Sequence, residues 1–117
     1  MKLVPSAACY RFNIMMDNRY SVIVSPEAEA DVNRVYNYIA FEVTVPETAV
    51  RYRMGIYDTI KKLSVVGSML SVSQQPYLRK RYGADVRTVC YKKMTIVYNI
   101  IGNVVYIRRV IASSLIQ

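Results

Sequence analysis

The sequence predicts an α+β fold in the element order β-α-α-β-β-β, with a two-helix hairpin packed on one face of a mainly antiparallel four-stranded sheet. Three observations predict this fold. A strand passes straight into a helix at Tyr20–Asp31, a second amphipathic segment follows at Pro46–Leu63, and three short strands lie between Val86 and Ile111. The chain has 117 residues, of which 53% are hydrophobic, so it can form one domain with its own core.

The first strand and the first helix are predicted over residues 20–43. Apolar and other residues alternate over 20–24, which is typical of a strand. Ser25 then supplies an N-cap, Pro26 suits the first helical position, and acidic residues follow where the helix dipole favours negative charge. The apolar stripe of this helix has helical spacing and consists of Ala28, Val32, Val35, Tyr36, Ile39 and Val43.

The second helix is predicted to begin near Pro46 and to end at Gly67. Thr44 and Glu47 have the spacing of a capping box, and proline is tolerated only at the beginning of a helix. The stripe of this helix consists of Ala49, Tyr52, Ile56, Ile60 and Leu63. Because the connection is short, we expect the two helices to form an antiparallel hairpin.

A long loop is predicted over residues 68–84, since its Ser, Gln, Pro and Gly residues follow no period. The loop carries the basic run Arg79, Lys80 and Arg81, and long loops in small domains are often functional. Three strands follow. Gly102-Asn103 indicates a two-residue hairpin turn, and alternation on both sides of Lys92-Lys93 requires a second reversal there.

Side chains alternate faces along a strand, so these turns assign each strand residue to a face. The predicted cross-strand pairs are Tyr98–Ile107, Val97–Arg108 and Cys90–Thr95. One face, which should pack on the helices, collects Val89, Ile96, Tyr98, Ile100, Val105 and Ile107. The second face is expected to meet solvent or a partner and collects Thr88, Cys90, Thr95, Val97, Asn99, Tyr106 and Arg108.

The composition limits the kinds of partner and of chemistry that the chain can have. Sixteen Lys and Arg against eight Asp and Glu give a net charge of +8, which favours a polyanionic partner such as nucleic acid, an acidic protein or an anionic surface. The chain has no His, the commonest general base and metal ligand. Cys9 and Cys90 fit no metal spacing, and we expect neither a metal nor a cofactor.

The location predicted for the chain is the cytoplasm. Cys90 falls inside a predicted strand as a buried or half-buried thiol, which suits a reducing compartment. No apolar run approaches the ~18 residues needed to span a membrane. We expect the domain to occupy residues 20–117 and residues 1–19 to be an N-terminal extension, with Met15 and Met16 as alternative translation starts beside Met1.

Three segments of the chain resemble the RelE/ParE toxins of bacterial type II toxin–antitoxin modules, which include plasmid stabilisation systems. They are YSVIVSPEAEADVNRVYNYI at Tyr20–Ile39, PETAVRYRMGIYDTIKKL at Pro46–Leu63 and VRTVCYKKMTIVYNIIGNVVYIRRV at Val86–Val110. Their order and spacing match the family, and their details are closer to the ParE branch, whose members are associated with poisoning DNA gyrase. The resemblance therefore implies a growth-inhibiting toxin that binds gyrase and is neutralised by a small acidic antitoxin.

The alternative that the resemblance implies is a RelE-like endoribonuclease that cleaves messenger RNA on the ribosome. RelE-like nucleases use Lys and Arg residues together with a late Tyr or His, whereas this chain has no aromatic residue or His after Tyr106. A third alternative is a degenerate relative without toxicity. If the chain is a nuclease, its catalytic candidates are Arg81, Arg87, Tyr91, Lys92 and Arg108.

The candidate partner-binding residues are the basic and aromatic side chains expected at the surface. Arg pairs bidentately with carboxylate or phosphate, and Tyr can stack on bases. The residues predicted to contact a partner are Arg79, Lys80, Arg81, Lys92, Lys93, Tyr106 and Arg108. Arg87 is expected at the rim of the core face beside Tyr98, where a structural role is favoured.

Overall fold

The computed structural model describes residues 20–116, which form a four-stranded sheet with two long helices packed on it. The strands are β1 (Ser21–Val24), β2 (Arg87–Tyr91), β3 (Met94–Ile101) and β4 (Val104–Ala112). The strand order is β1-β4-β3-β2, and β1 runs parallel to β4 while the other neighbours are antiparallel. The predicted α+β fold is confirmed. The predicted extension, with Cys9, lies outside the described residues.

The helical hairpin is confirmed as well. Helix α1 (Pro26–Asn37) begins after Ser25, whose Oγ accepts a hydrogen bond from the amide of Ala28 at 3.1 Å. A π-helical turn (Tyr38–Glu42) extends α1, and α2 (Pro46–Val66) follows. Gly67 caps α2, as its position in the sequence predicts.

The junction between the two helices differs from the prediction. The N-cap of α2 is Val45 and it has no capping side chain, so the predicted capping box of Thr44 and Glu47 is wrong. Thr44 instead has a φ of 60° and donates its hydroxyl to the carbonyl of Val43. Val43 is exposed because the π-helical turn adds a residue to the helical repeat and moves it off the apolar stripe.

The main core lies between the hairpin and one face of the sheet. The predicted core face is correct, since Ile96, Tyr98, Val105 and Ile107 have no exposed surface and pack against Ile56, Ile60 and Leu63 in one cluster. The hydroxyl of Tyr98 donates to the carbonyl oxygen of Gly67 at 2.7 Å, so this buried polar group is satisfied. Desolvation raises the pKa of Tyr98 to about 12.

A short helix, α3 (Pro76–Tyr82), lies where the sequence predicts only a loop. Gln75 caps it by accepting the amide hydrogen of Tyr77, and Leu78 packs with Val86 and Val97 in a second, smaller cluster. The second face of the sheet is therefore partly covered rather than open. The sequence did not reveal this helix because seven residues with one buried apolar anchor carry no readable helical period.

The strand register agrees with the prediction at Tyr98–Ile107 and Cys90–Thr95, but Val97 pairs with Arg109 rather than Arg108. A β-bulge between these pairs leaves Arg108 as an extra residue in β4. Cys90 is exposed, contrary to the prediction, because β2 is an edge strand and α3 does not reach this position.

Candidate functional site

The β-bulge in β4 brings two consecutive arginines to the same side of the sheet. The main core contains Val105, Ile107 and Val110 of β4. The distance between successive core-facing residues therefore changes from two positions to three across Arg108 and Arg109. In a regular strand these two side chains would point to opposite faces. Here both line one cavity on the second face, together with Tyr106.

Helix α1 and its N-cap residue Ser25 satisfy the backbone groups around this bulge. The hydroxyl of Ser25 donates to the carbonyl of Arg108 at 2.9 Å, and the amide of Ser25 donates to the carbonyl of Ile107 at 3.0 Å. The amide of Val110 donates to Oδ2 of Asp31 at 2.9 Å. The bulge is therefore held by hydrogen bonds from residues more than 70 positions away in the sequence.

A buried ion pair connects the same two elements. Asp31 is only 3% exposed, and Arg109 donates to it through Nε at 2.7 Å and through Nη2 at 3.0 Å. Arg34, one turn along α1, donates to Oδ1 of the same carboxylate. The hydrogen bond to Asp31 is the main cause that raises the pKa of Arg109. In the sequence, Asp31 counts only among the acidic residues that follow Pro26, and Arg109 is not a candidate, because alternation assigns adjacent strand residues to opposite faces.

The cavity at the bulge, here called the basic cavity, has a volume of about 280 Å³. It lies where the beginning of α1, the end of α3 and the middle of β4 meet. Arg108 is fixed in it by a hydrogen bond from Nε to Oδ1 of Asn99 at 2.7 Å and by its guanidinium, whose carbon lies 4.9 Å from the centre of the Tyr106 ring. The residues lining the basic cavity are Ser25, Glu27, Arg81, Tyr82, Tyr106, Arg108 and Arg109.

A second concavity, the apolar groove, has a volume of about 470 Å³ and lies between α1 with its π-helical turn and the ends of β3 and β4. Its lining is Asp31, Arg34, Val35, Tyr38, Ile39, Tyr52, Met94, Arg109, Val110, Ile111, Ala112 and Leu115. Tyr38 is 61% exposed and Phe41, on the same turn, is 70% exposed. Large apolar side chains exposed together in this way are typical of a surface that meets another protein.

The basic run lies on α3, and its three members differ in what they contact. Arg79 donates to the carbonyls of Ser73 at 3.3 Å and Ala84 at 3.1 Å. It therefore connects the chain before α3 to the chain after α3. Lys80 and Arg81 are exposed. Among these three residues, Arg81 lines the basic cavity.

The remaining candidates lie elsewhere. Arg87 donates to the carbonyls of Ser68 and Leu70, beyond the end of α2, which is the structural position that the sequence favours. Tyr91 packs edge-on against Tyr52, with ring centres 5.4 Å apart, and lies so close to Gly55 that a Cβ there would be 2.0 Å from its hydroxyl. Lys92 and Lys93 form an exposed turn, with φ of Lys92 at 52°.

The structure thus brings together Arg81, Tyr106 and Arg108 in one cavity, but it does not place Arg87, Tyr91 or Lys92 there. Within residues 20–116, no group of three or more His, Cys, Asp or Glu side chains could hold a metal ion. None of the helices in the same part of the chain is long and apolar enough to cross a membrane.

Comparisons with known proteins identify the fold. Neither a protein-family model nor a curated protein matches the chain. Eight chains of solved structures do match. One belongs to a structure described as the chromosomal ParDE TA system from P. aeruginosa; it superposes with a TM-score of 0.66 at 20% identity, over 82% of this chain and 98% of that chain. The fold is therefore one found in a ParDE toxin–antitoxin system.

Proposed function

We propose that this chain is the toxin of a type II toxin–antitoxin module of the ParE kind, which inhibits DNA gyrase by binding and is neutralised by a small acidic antitoxin. The observation that carries the proposal is the fold, which covers 98% of a chain from a ParDE system. The sequence resemblance over residues 20–111 supports the same branch independently of the superposition.

The apolar groove supports a protein partner. Its exposed apolar residues would be covered by the apolar face of a partner helix or extended segment, and Arg34 at its margin is 68% exposed and would favour acidic residues beside that face. The net charge of +8 favours an acidic partner. An antitoxin segment with alternating apolar and acidic residues has the chemistry that this groove requires.

The positions of the nuclease candidates favour binding over RNA cleavage. Only two of the catalytic candidates named for that alternative line the basic cavity; the candidates are Arg81, Arg87, Tyr91, Lys92 and Arg108. The chain also has no His for proton transfer, and losing a general acid or base typically costs about 10²–10⁴-fold in rate.

Expression of the chain in a bacterium should arrest growth and induce the DNA-damage response, and the purified chain should inhibit supercoiling by gyrase. The same preparation, incubated with ribosome-bound messenger RNA, should leave its ends unchanged when they are mapped. Specific cuts that Arg87→Ala or Arg108→Ala abolishes would instead establish the RelE-like alternative. Normal growth with a well-folded chain would establish the degenerate relative.

Binding of a cognate antitoxin should weaken with added salt and with loss of the exposed aromatic side chain in the apolar groove. We expect the affinity, measured by titration calorimetry, to fall as salt screens the basic contacts. Tyr38→Ala should weaken binding by about tenfold or more, as for an aromatic anchor. Tyr77→Ala is the matched control, because Tyr77 is a 47% exposed tyrosine on α3 outside the groove. Equal affinity at low and high salt, or equal effects of the two substitutions, would contradict the proposed interface.

A further inference from the structure

The basic cavity contains arginines that no carboxylate neutralises. Arg109 is paired with the buried Asp31, but neither Arg81 nor Arg108 forms an ion pair with any carboxylate of the described residues. Glu27 also lines the cavity, so the lining has three cationic side chains and one anionic side chain. A concentration of like charge in a small concavity favours binding of an anion.

Arg108 is held in place before any ligand binds. Its Nε is engaged with Asn99, whose amide nitrogen donates in turn to Asp85 and to the carbonyl of Tyr82, both at 3.2 Å. Its guanidinium also packs on the Tyr106 ring. These contacts use Nε and leave the Nη groups as donors in a fixed plane, which lowers the entropic cost of engaging an anion.

The arrangement of donors fits a phosphate better than a carboxylate. Arg81 lines the cavity from the end of α3 and Arg108 lines it from β4, so two elements supply donors to one cavity. A tetrahedral phosphate presents oxygens in several directions, whereas a planar carboxylate is satisfied by one bidentate arginine. The beginning of α1, a helix of 12 residues, lies at the same cavity and adds the positive end of its dipole.

We propose that the basic cavity binds the phosphate group of a nucleotide, with Arg81 and Arg108 as its anion ligands. The rings of Tyr82 and Tyr106 line the same cavity and offer apolar walls for the sugar or base. The volume of about 280 Å³ accommodates a phosphate together with part of a nucleoside. This site shares Arg109 with the apolar groove but none of its other lining residues, and the inference is independent of the target of the proposed toxin.

The test is a titration of the full chain, followed by amide chemical shifts, at constant ionic strength maintained with chloride. The probes are inorganic phosphate, adenosine 5′-monophosphate, adenosine and a short single-stranded oligoadenylate. We expect saturable shifts around Arg81 and Arg108 with the phosphate-bearing probes, and tighter binding of the monophosphate than of adenosine. If the oligoadenylate binds more tightly than the monophosphate, the phosphate that the cavity recognises belongs to a nucleic-acid backbone. If the monophosphate binds more tightly, it belongs to a free nucleotide. Both results uphold the phosphate site.

Two substitutions distinguish specific binding in the basic cavity from non-specific attraction by the positive charge of the protein. Arg81→Ala should weaken binding of the monophosphate by about tenfold, because a charge-assisted hydrogen bond is lost. Arg51→Ala removes the same charge from an exposed position on α2, outside the cavity lining, and should leave the affinity nearly unchanged. Equal weakening by both substitutions, adenosine binding as tightly as the monophosphate, or no saturable shift with any probe would each overturn the proposal.

Discussion

Replacing Asp31 with alanine should lower the free energy of unfolding by about 3 kcal/mol, near the lower end of the range for breaking a buried ion pair. The carboxylate accepts hydrogen bonds from Arg109, Arg34 and the amide of Val110. Its loss leaves the Val110 amide buried without this partner and leaves Arg109 uncompensated. The side chain of Arg109 is 30% exposed and can recover some hydration, which is why we expect the lower end.

Urea denaturation of the purified variants measures this loss. Asp58→Ala is the control, because Asp58 pairs with Lys62 at 3.6 Å on the surface of α2, where an exposed pair contributes only about 0–1 kcal/mol. The loss of stability caused by Asp31→Asn should lie between the losses caused by Asp31→Ala and Asp58→Ala, because the amide oxygen of asparagine can still accept a hydrogen bond from the amide of Val110. A loss at Asp31 no greater than that at Asp58 would mean that the buried pair does not hold α1 to β4.

Truncation of the main core should have an effect of similar size. Ile60 is 2% exposed on α2 and Ile107 has no exposed surface on β4, and both belong to one cluster between hairpin and sheet. Changing either residue to alanine removes buried methyl groups and leaves a cavity, so we expect a loss of about 2–5 kcal/mol in the free energy of unfolding.

The matched control is Ile101→Ala, because Ile101 is also on the sheet but 59% exposed, and its replacement should change stability by about 0.5 kcal/mol or less. Losses below about 1 kcal/mol at both Ile60 and Ile107 would contradict the assigned core. The measurement is the same urea transition, with an unchanged slope indicating that the variants still unfold in two states.

The elements with a long, regular pattern were predictable from the sequence. Ser25-Pro26 marks the beginning of α1, and the stripe from Ala49 to Leu63 defines the buried side of α2. The pairs Tyr98–Ile107 and Cys90–Thr95 follow from two turns and simple alternation. These features are local, since each depends on residues a few positions apart.

The candidate site was predictable only in part. Arg81 and Arg108 were selected for their charge, but their meeting depends on α3 folding over the second face of the sheet. Arg87 and Tyr91 were selected by the same reasoning and lie in other surroundings, against the end of α2 and against Tyr52. Charge and residue type therefore identified candidates without indicating which of them share a site.

The sequence alone determined the order of the four strands and the two long helices, the buried faces of the hairpin and sheet, and the net charge of +8, because hydrophobic periodicity and charge are local properties of the chain. Tertiary structure alone decided the bulge at Arg108, the pairing of Asp31 with Arg109 and the packing of α3 on the second face of the sheet. A bulge adds one residue and leaves normal alternation on both sides, so no local pattern records it. Its position is set by Ser25 and Asp31, which satisfy the displaced backbone groups only when α1 is packed against β4.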